Sequence, residues 1–480
     1  MSATSSRATA ELDAILHPRS IAVVGASANV DSPGHDYVRS FIEYGFRGPV
    51  YPVNPRAQEI LGLPAYPTLS AIPGEVDFVV SCIPADGVLA LLDECAAKGV
   101  KAVELFTGRF SETGRRDAAA LERQVLERAR AAGIRLIGPN CMGLYDPSYG
   151  LSFRPDLPRE AGPVAFLSQS GNNAVELVQH GAVRGLRFSK VISYGNGIDL
   201  TESDFLEYLA FDDATTVIGA YIEGVRDGSR FVRALRLASS RKPVVVHKGG
   251  RTGAGSRSAA SHTAALAGQR AVWSAALRQG GAVEASTLEQ TLDLLVAFAF
   301  LRPGAGRRVG VVGGGGGRAV QSADACEEEG LEVPPLPDDI RAELRAKAPD
   351  LWDWVGNPVD QSILAGSGLS GARVLELMVA HPAFDAFIAN IGEDWILGRP
   401  DAADRLAHVV ERFIAIGKAC PKPIAFVLGP ADSPEEWRWR AVEGARQRLA
   451  AERLAVFPTI ERAAWALRRF LDDCERRTEP

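Results

Sequence analysis

His262 stands in the segment whose residue types could do the most chemistry. Upstream, Lys242-Pro-Val-Val-Val-His247 is a short β-branched run that reads as a buried strand, and from Ala264 helix-forming residues resume. Between them lies a loop of Gly, Ala and Ser that carries Lys248, Arg251 and Arg257, with Ser261 and Thr263 flanking the histidine. An imidazole can hold a phosphoryl group as a covalent intermediate, and cations and backbone N–H groups at a helix start offset the charge. The same composition also describes a solvated turn. Spacing by itself does not separate the two.

Three other clusters could do related work. Gly25, Ala26 and Ser27 follow the run Ser20-Ile-Ala-Val-Val24. A glycine turn after a strand lets a diphosphate approach backbone N–H groups, although this is not a clean G-x-G-x-x-G. Asn54, Pro55 and Arg56 end the next strand-like run, where a dinucleotide site would carry an acidic ribose reader. A guanidinium there suits bidentate contact with phosphate. Gln169, Ser170, Gly171 and Asn172 lie between the strand Val164 to Leu167 and a helix expected near Ala174, an arrangement that serves an anion or a plain helix cap. Glu223 ends the run Val217-Ile-Gly-Ala-Tyr-Ile222, where a carboxylate can orient an imidazole.

These residues need a rigid frame, and the chain supplies an α/β pattern throughout. Short apolar runs alternate with helical stretches such as Asp117 to Ala132, the mark of parallel sheets covered on both faces. Strand–glycine–helix restarts at Ser20, Gly162 and Arg307 divide the 480 residues into three doubly wound parallel-sheet domains: 1–150, 151–303 and 304–480. The expected fold is a Rossmann-like domain followed by two flavodoxin-like domains. A net charge of −6 speaks against a general nucleic-acid or membrane-surface binder. The first residues lack the apolar core of a signal peptide, so a cytoplasmic protein is expected. Six scattered cysteines, none paired at ligand spacing, read as reduced thiols, and no metal site is expected.

Lys248-Gly-Gly-Arg251 followed by Ser258-Ala-Ala-Ser-His-Thr263 resembles the phosphohistidine loop of the NDP-forming acyl-CoA synthetases, relatives of succinyl-CoA synthetase. Gly48-Pro-Val-Tyr-Pro-Val-Asn-Pro-Arg56, Ser81-Cys-Ile-Pro84, Gly138-Pro-Asn-Cys-Met-Gly143 and Gly356-Asn-Pro-Val-Asp360 extend the resemblance over nearly the whole chain. It implies that coenzyme A is held by Gly25, Ala26, Ser27, Asn54, Pro55, Arg56, Ile83, Pro84 and Asn140. It implies an acyl and phosphate site at Gln169 to Asn172. His262 would carry phosphate, Glu223 would pair with it, and Lys248, Arg251, Ser261 and Thr263 would shape the loop. The implied reaction is carboxylic acid plus CoA plus ATP giving acyl-CoA, ADP and phosphate. No stretch looks like a P-loop or an ATP-grasp domain, so ATP, ADP and Mg2+ are expected on a separate ATP-grasp β subunit, in an assembly such as α2β2. Four departures from the family pattern stand out: Arg109 and Ala264 in place of glycines, Gly197 in place of a lysine, and the run Gly313 to Gly317 in place of a more polar loop. Arg109, Gly197 and the run Gly313 to Gly317 keep open a CoA-binding regulatory or scaffold protein without turnover. A Rossmann oxidoreductase is the third reading, and it leaves the histidine loop without a use.

Overall fold

The computed structural model describes residues 3–255, 270–364, 367–397, 401–429 and 435–478. His262, Ser261 and Thr263 lie outside the described residues. The chain divides into two compact units. The first runs to Thr291 without Val183–Leu186; the second comprises Val183–Leu186 and the chain from Leu292.

The first unit contains two sheets. One holds β1 (Ile21–Val24), β2 (Val50–Val53), β5 (Phe78–Ser81), β6 (Ala102–Leu105) and β7 (Arg135–Ile137), in the order β2-β1-β5-β6-β7 and parallel throughout. A small hairpin, β3 (Glu59–Ile60) with β4 (Leu63–Pro64), follows β2. β1, β5 and β6 are buried along their whole length, which is why they read as continuous apolar runs and not as alternating ones. Val79, Val103, Leu92 and Val125 pack in the core of this sheet and its helices. The chain leaves β1 toward β2 on one side and returns to β5 on the other. That reversal opens a crevice at the carboxyl ends of β1 and β5.

The second sheet has the order β13-β12-β11-β9-β10-β8. Its parallel strands are β9 (Ala161–Ser168), β10 (Phe188–Ser193), β11 (Val217–Ile222), β12 (Val244–Lys248) and β13 (Val283–Ala285). β8 (Gly143–Tyr145) pairs antiparallel with β10. It stands ahead of the expected boundary at 150, so this segment serves the second sheet before the Pro-rich stretch begins. Gly143, at φ +79°, supplies the turn into it.

The second unit holds one parallel sheet, β14 (Val309–Val312), β15 (Ala386–Asn390), β16 (Ile424–Val427) and β17 (Val456–Phe457), in sequence order. Phe387, Phe426, Met378 and Phe413 fill its core. Asn357 caps the edge beside β14. It accepts from Val311 N at 2.8 Å and donates to the carbonyls of Val309 and Pro334 at 3.0 and 2.8 Å. Asp293, with no exposed surface on its side chain, lies between Arg184 and Arg462, each 2.6 Å away. Among the described residues no helix is long and apolar enough to cross a membrane.

Candidate functional site

Every strand of the first sheet ends on the same edge, and the residues expected to hold CoA stand there. Gly25 takes φ +89°, and a Cβ on it would come 2.9 Å from the carbonyl oxygen of Cys82. Only glycine fits this turn. The helix Pro33–Glu43 starts against it, since a Cβ on Gly34 would meet the Gly25 oxygen at 2.2 Å. Across the crevice, Cys82 N donates to Val24 O at 2.8 Å and brings Ile83 and Pro84 alongside.

Asn54 ties the neighbouring loop in. Its Nδ2 donates to Ala26 O at 2.7 Å, and its Oδ1 accepts from the N–H groups of Arg56 and Ala57 at 2.8 and 3.1 Å. The amide therefore spends its donor and acceptor on shaping two loops, which leaves Pro55 and Arg56 exposed at the edge. His35 Nδ1 lies 3.1 Å from Ser27 O. Further along, Thr107 Oγ1 donates to Ile83 O at 2.7 Å, and Asn140 N donates to Thr107 O at 3.0 Å. The glycine turn, the Asn-Pro-Arg loop, the Ile-Pro loop and Asn140 thus follow one another along one open edge.

The second sheet gathers its own cluster at the ends of β9, β11 and β12. Gln169 is buried, and its Oε1 accepts the backbone N–H groups of Glu223 and Gly224, the latter at 3.0 Å. Tyr221 donates its hydroxyl to Glu223 Oε1 at 3.1 Å. Lys248 Nζ donates to the carbonyl oxygens of Glu223, at 2.7 Å, and Gly249, and it lies 5.0 Å from the centre of the Trp273 ring. Sequence reasoning takes Lys248 as a loop cation. It is 2% exposed and ties the ends of β11 and β12 together, and burial pulls its pKa down to about 8. Arg251 donates to Ser286 O, just past β13. Ser170 and Gly171 open the helix Gly171–Val183, three residues earlier than the pattern suggests, so Gly171 and Asn172 form its first turn. Ser168 Oγ donates to Ser170 O at 2.6 Å and turns the loop toward that helix.

The two edges meet within the first unit. Tyr194 N donates to Ser168 O at 2.9 Å, and Asn196 N donates to Pro139 O at 2.9 Å. Gly195 fits there because a Cβ would lie 2.2 Å from the carbonyl oxygens of Pro139 and Asn140. The loop Tyr194 to Gly197 therefore joins the Asn140 end of the first sheet to the Gln169 end of the second. Both lie on connected loops.

Several buried groups escape sequence reasoning. Glu104, inside β6, has its carboxyl pushed up to about 8 by burial. Its Oε2 accepts from Leu144 N at 3.3 Å. A Cβ on Gly143 would sit 1.8 Å from the carboxylate carbon, so the missing side chain of Gly143 makes the room that Glu104 occupies. Tyr37 donates to Met142 O at 2.7 Å beside it. His247 packs edge-on against Tyr221, 5.1 Å between ring centres, and burial lowers its pKa to about 4. A strand periodicity of two puts Tyr221 on the same face as Glu223 and is the signal that finds it. No signal in the sequence marks Glu104.

Comparison with known proteins bears on the same residues. Residues 19–147 match a family model described as CoA binding domain, and residues 161–298 match succinyl-CoA ligase like flavodoxin domain. The chain is 38% identical over 378 residues to acetate–CoA ligase [ADP-forming] II subunit alpha of Pyrococcus furiosus, covering 79% of this chain and 82% of that one. It is 39% identical over 324 residues to acetate–CoA ligase [ADP-forming] I of Archaeoglobus fulgidus, covering 67% of this chain and 46% of the other. Among solved structures, a dinucleotide forming acetyl-coenzyme A synthetase 1 of Ca. Korarchaeum cryptofilum, in complex with phosphate and ADP, matches with a TM-score of 0.80 and 31% identity over 97% of each chain. The crevice at β1 and β5 thus falls inside a matched CoA-binding domain, the Gln169–Glu223 cluster falls inside a matched ligase domain, and the chain belongs to the ADP-forming acyl-CoA synthetase family of acid–thiol ligases.

Proposed function

We propose that this chain binds CoA along the open edge of its first sheet and carries phosphate on His262, with Glu223 as the carboxylate that orients the imidazole. The observation that carries the reading is the frame around Glu223. Gln169 fixes its backbone, Tyr221 meets its carboxylate, and Lys248 bonds its carbonyl at the end of β12, from which the chain runs on toward His262. A carboxylate held this firmly at the start of the segment that carries His262 can fix the tautomer and offset positive charge on a ring that gains and loses a phosphoryl group.

The proposed sequence runs in three balanced steps. Phosphate attacks the thioester, so that CoA leaves as a thiol and an acyl phosphate forms. The His262 ring takes the phosphoryl group, and the carboxylate leaves as the free acid. Phosphohistidine then passes the group to ADP, which gives ATP; synthesis of acyl-CoA is the reverse. The N–H groups in the first turn of the helix at Gly171 and Asn172 suit the anion formed in the middle of this sequence. Exchange with ADP and Mg2+ is assigned to an ATP-grasp partner subunit. The match to a subunit named alpha supports a partner subunit. The acids named for the relatives make a small carboxylic acid the first substrate to try.

The test is a label. The full chain given acyl-CoA and labelled phosphate should acquire an acid-labile, base-stable phosphoryl group. His262→Ala should take up none, and equal labelling of that variant sinks the assignment. ATP-dependent acyl-CoA synthesis should appear only when an ATP-grasp partner is added.

A further inference from the structure

We infer that Arg109 is a specificity-determining residue that selects acids whose far end carries a negative charge. The inference rests on the reading of the first-sheet edge as the CoA cleft.

Arg109 follows β6 at the end of that edge, with φ +75°, a conformation in which a non-glycine side chain is strained. Its loop is held against its neighbours. Glu112 Oε1 accepts the N–H of Arg109 and that of Phe110, the latter at 3.0 Å. Glu112 Oε2 accepts from Asn196 Nδ2 at 2.8 Å. A Cβ on Gly108 would lie 3.4 Å from both Asn140 Oδ1 and Glu112 Oε1, so the loop closes on Asn140 as well. The backbone of Arg109 is thereby fixed where the two edges meet.

The guanidinium is exposed and makes no hydrogen bond or ion pair among the described residues. The nearby carboxylates are engaged elsewhere. Glu112 serves the backbone and Asn196, while Glu122 accepts from Ser111 Oγ at 2.7 Å and Asn196 Nδ2 at 3.0 Å, with Arg226 at 3.9 Å. Arg226 in turn donates to Asn196 O at 3.3 Å. A strained residue that presents an uncommitted cation at a cleft points to a ligand anion.

Strand order says which anion. The phosphate-suited groups, Arg56 and the Gly25 turn, stand at β2 and β1, and β6 and β7 stand at the other end of the sheet. A CoA thioester with its phosphates at Gly25 and Arg56 lays its uncharged pantetheine arm toward β6 and β7. The acyl group then arrives beside Asn140 and Arg109. Nothing in the arm needs a guanidinium, whereas a second carboxylate on the acyl group does.

Calorimetry on the full chain decides the matter with free CoA, pentanoyl-CoA and glutaryl-CoA, the last two alike in carbon count and different in terminal charge. The wild type should bind glutaryl-CoA on the order of tenfold more tightly than pentanoyl-CoA. Arg109→Gly should abolish that difference and leave pentanoyl-CoA and free CoA unchanged. Glycine is at home at φ +75°, so the variant keeps its fold. A wild type without preference for the charged ester overturns the inference. So does an Arg109→Gly variant that weakens all three ligands alike, because the guanidinium then serves a CoA phosphate. Failure of free CoA to bind the wild type removes the cleft itself, and the CoA reading falls with it.

Discussion

Gln169 holds Glu223 by its backbone while Tyr221 meets its carboxylate: the amide oxygen of Gln169 takes the backbone N–H of Glu223, and of Gly224 after it, and the Tyr221 hydroxyl donates to Glu223 Oε1. One side chain thus satisfies two buried donors at the end of a strand. Gln169→Leu should strand both, at a cost of about 2–4 kcal/mol. Hydrogen exchange at the amides of Glu223 and Gly224 should speed up far more than at the middle of β11. Equal protection in variant and wild type would show that another acceptor takes over.

Glu223→Gln keeps size and burial and removes the negative charge. The variant should fold as the wild type does and lose phosphoryl labelling by about 100-fold or more, in the range typical of groups that orient a reacting ring. Labelling at the wild-type rate removes Glu223 from the mechanism.

Two buried groups tilt stability with pH in opposite directions. Glu104 has its carboxyl raised from 4.5 to about 8, so the folded chain holds a proton that the unfolded chain has lost. Stability from this group is full below 4.5 and falls as pH rises to about 8, by about 1.4 kcal/mol per pH unit at most. Lys248 is lowered from 10.5 to about 8, so its cost is present below 8 and is relieved as pH climbs toward 10.5. Urea midpoints of Glu104→Gln against wild type should diverge between pH 5 and 8 and then run parallel. A constant offset across that window contradicts the buried-acid assignment.

Gly143→Ala should be among the most damaging small substitutions in the chain. The new methyl would overlap the Glu104 carboxylate, and alanine is strained at φ +79°. A loss above about 3 kcal/mol is expected. Adding Glu104→Ala should recover the steric part and leave about 1–2 kcal/mol of backbone strain. Additive losses in the double variant would show that the two residues do not meet.

In the second unit, Asp293→Asn should cost about 3–5 kcal/mol, because it removes the buried carboxylate that Arg184 and Arg462 both meet. Replacing all three by Leu, Met and Met should recover most of that loss. Thermal unfolding of the two variants side by side checks both statements.

The parallel strands are legible because a strand buried on both faces reads as a continuous run without charged residues, as Val217 to Ile222 and Val244 to Val246 do. The Gly25 turn and the Asn54 loop are legible for a related reason, since their chemistry is local: a glycine with positive φ, and an amide that bonds two residues onward. β8 is not legible, because three residues carry no period and its partner, β10, lies far along the chain in an antiparallel edge, with Ser193 opposite Gly143. Lys248 reads as a loop cation because nothing local reveals that Trp273 covers it and two carbonyls receive it. The placement of Glu104 depends wholly on a residue that is absent, the side chain of Gly143.

That last pair also makes one position depend on the other. Gly143 is needed by its backbone angle whatever stands at position 104, whereas the Glu104 carboxylate fits only after position 143 is bare. The constraint is one-sided: the acid at 104 needs a bare position 143, and no side chain enters at 143 while the acid stands there.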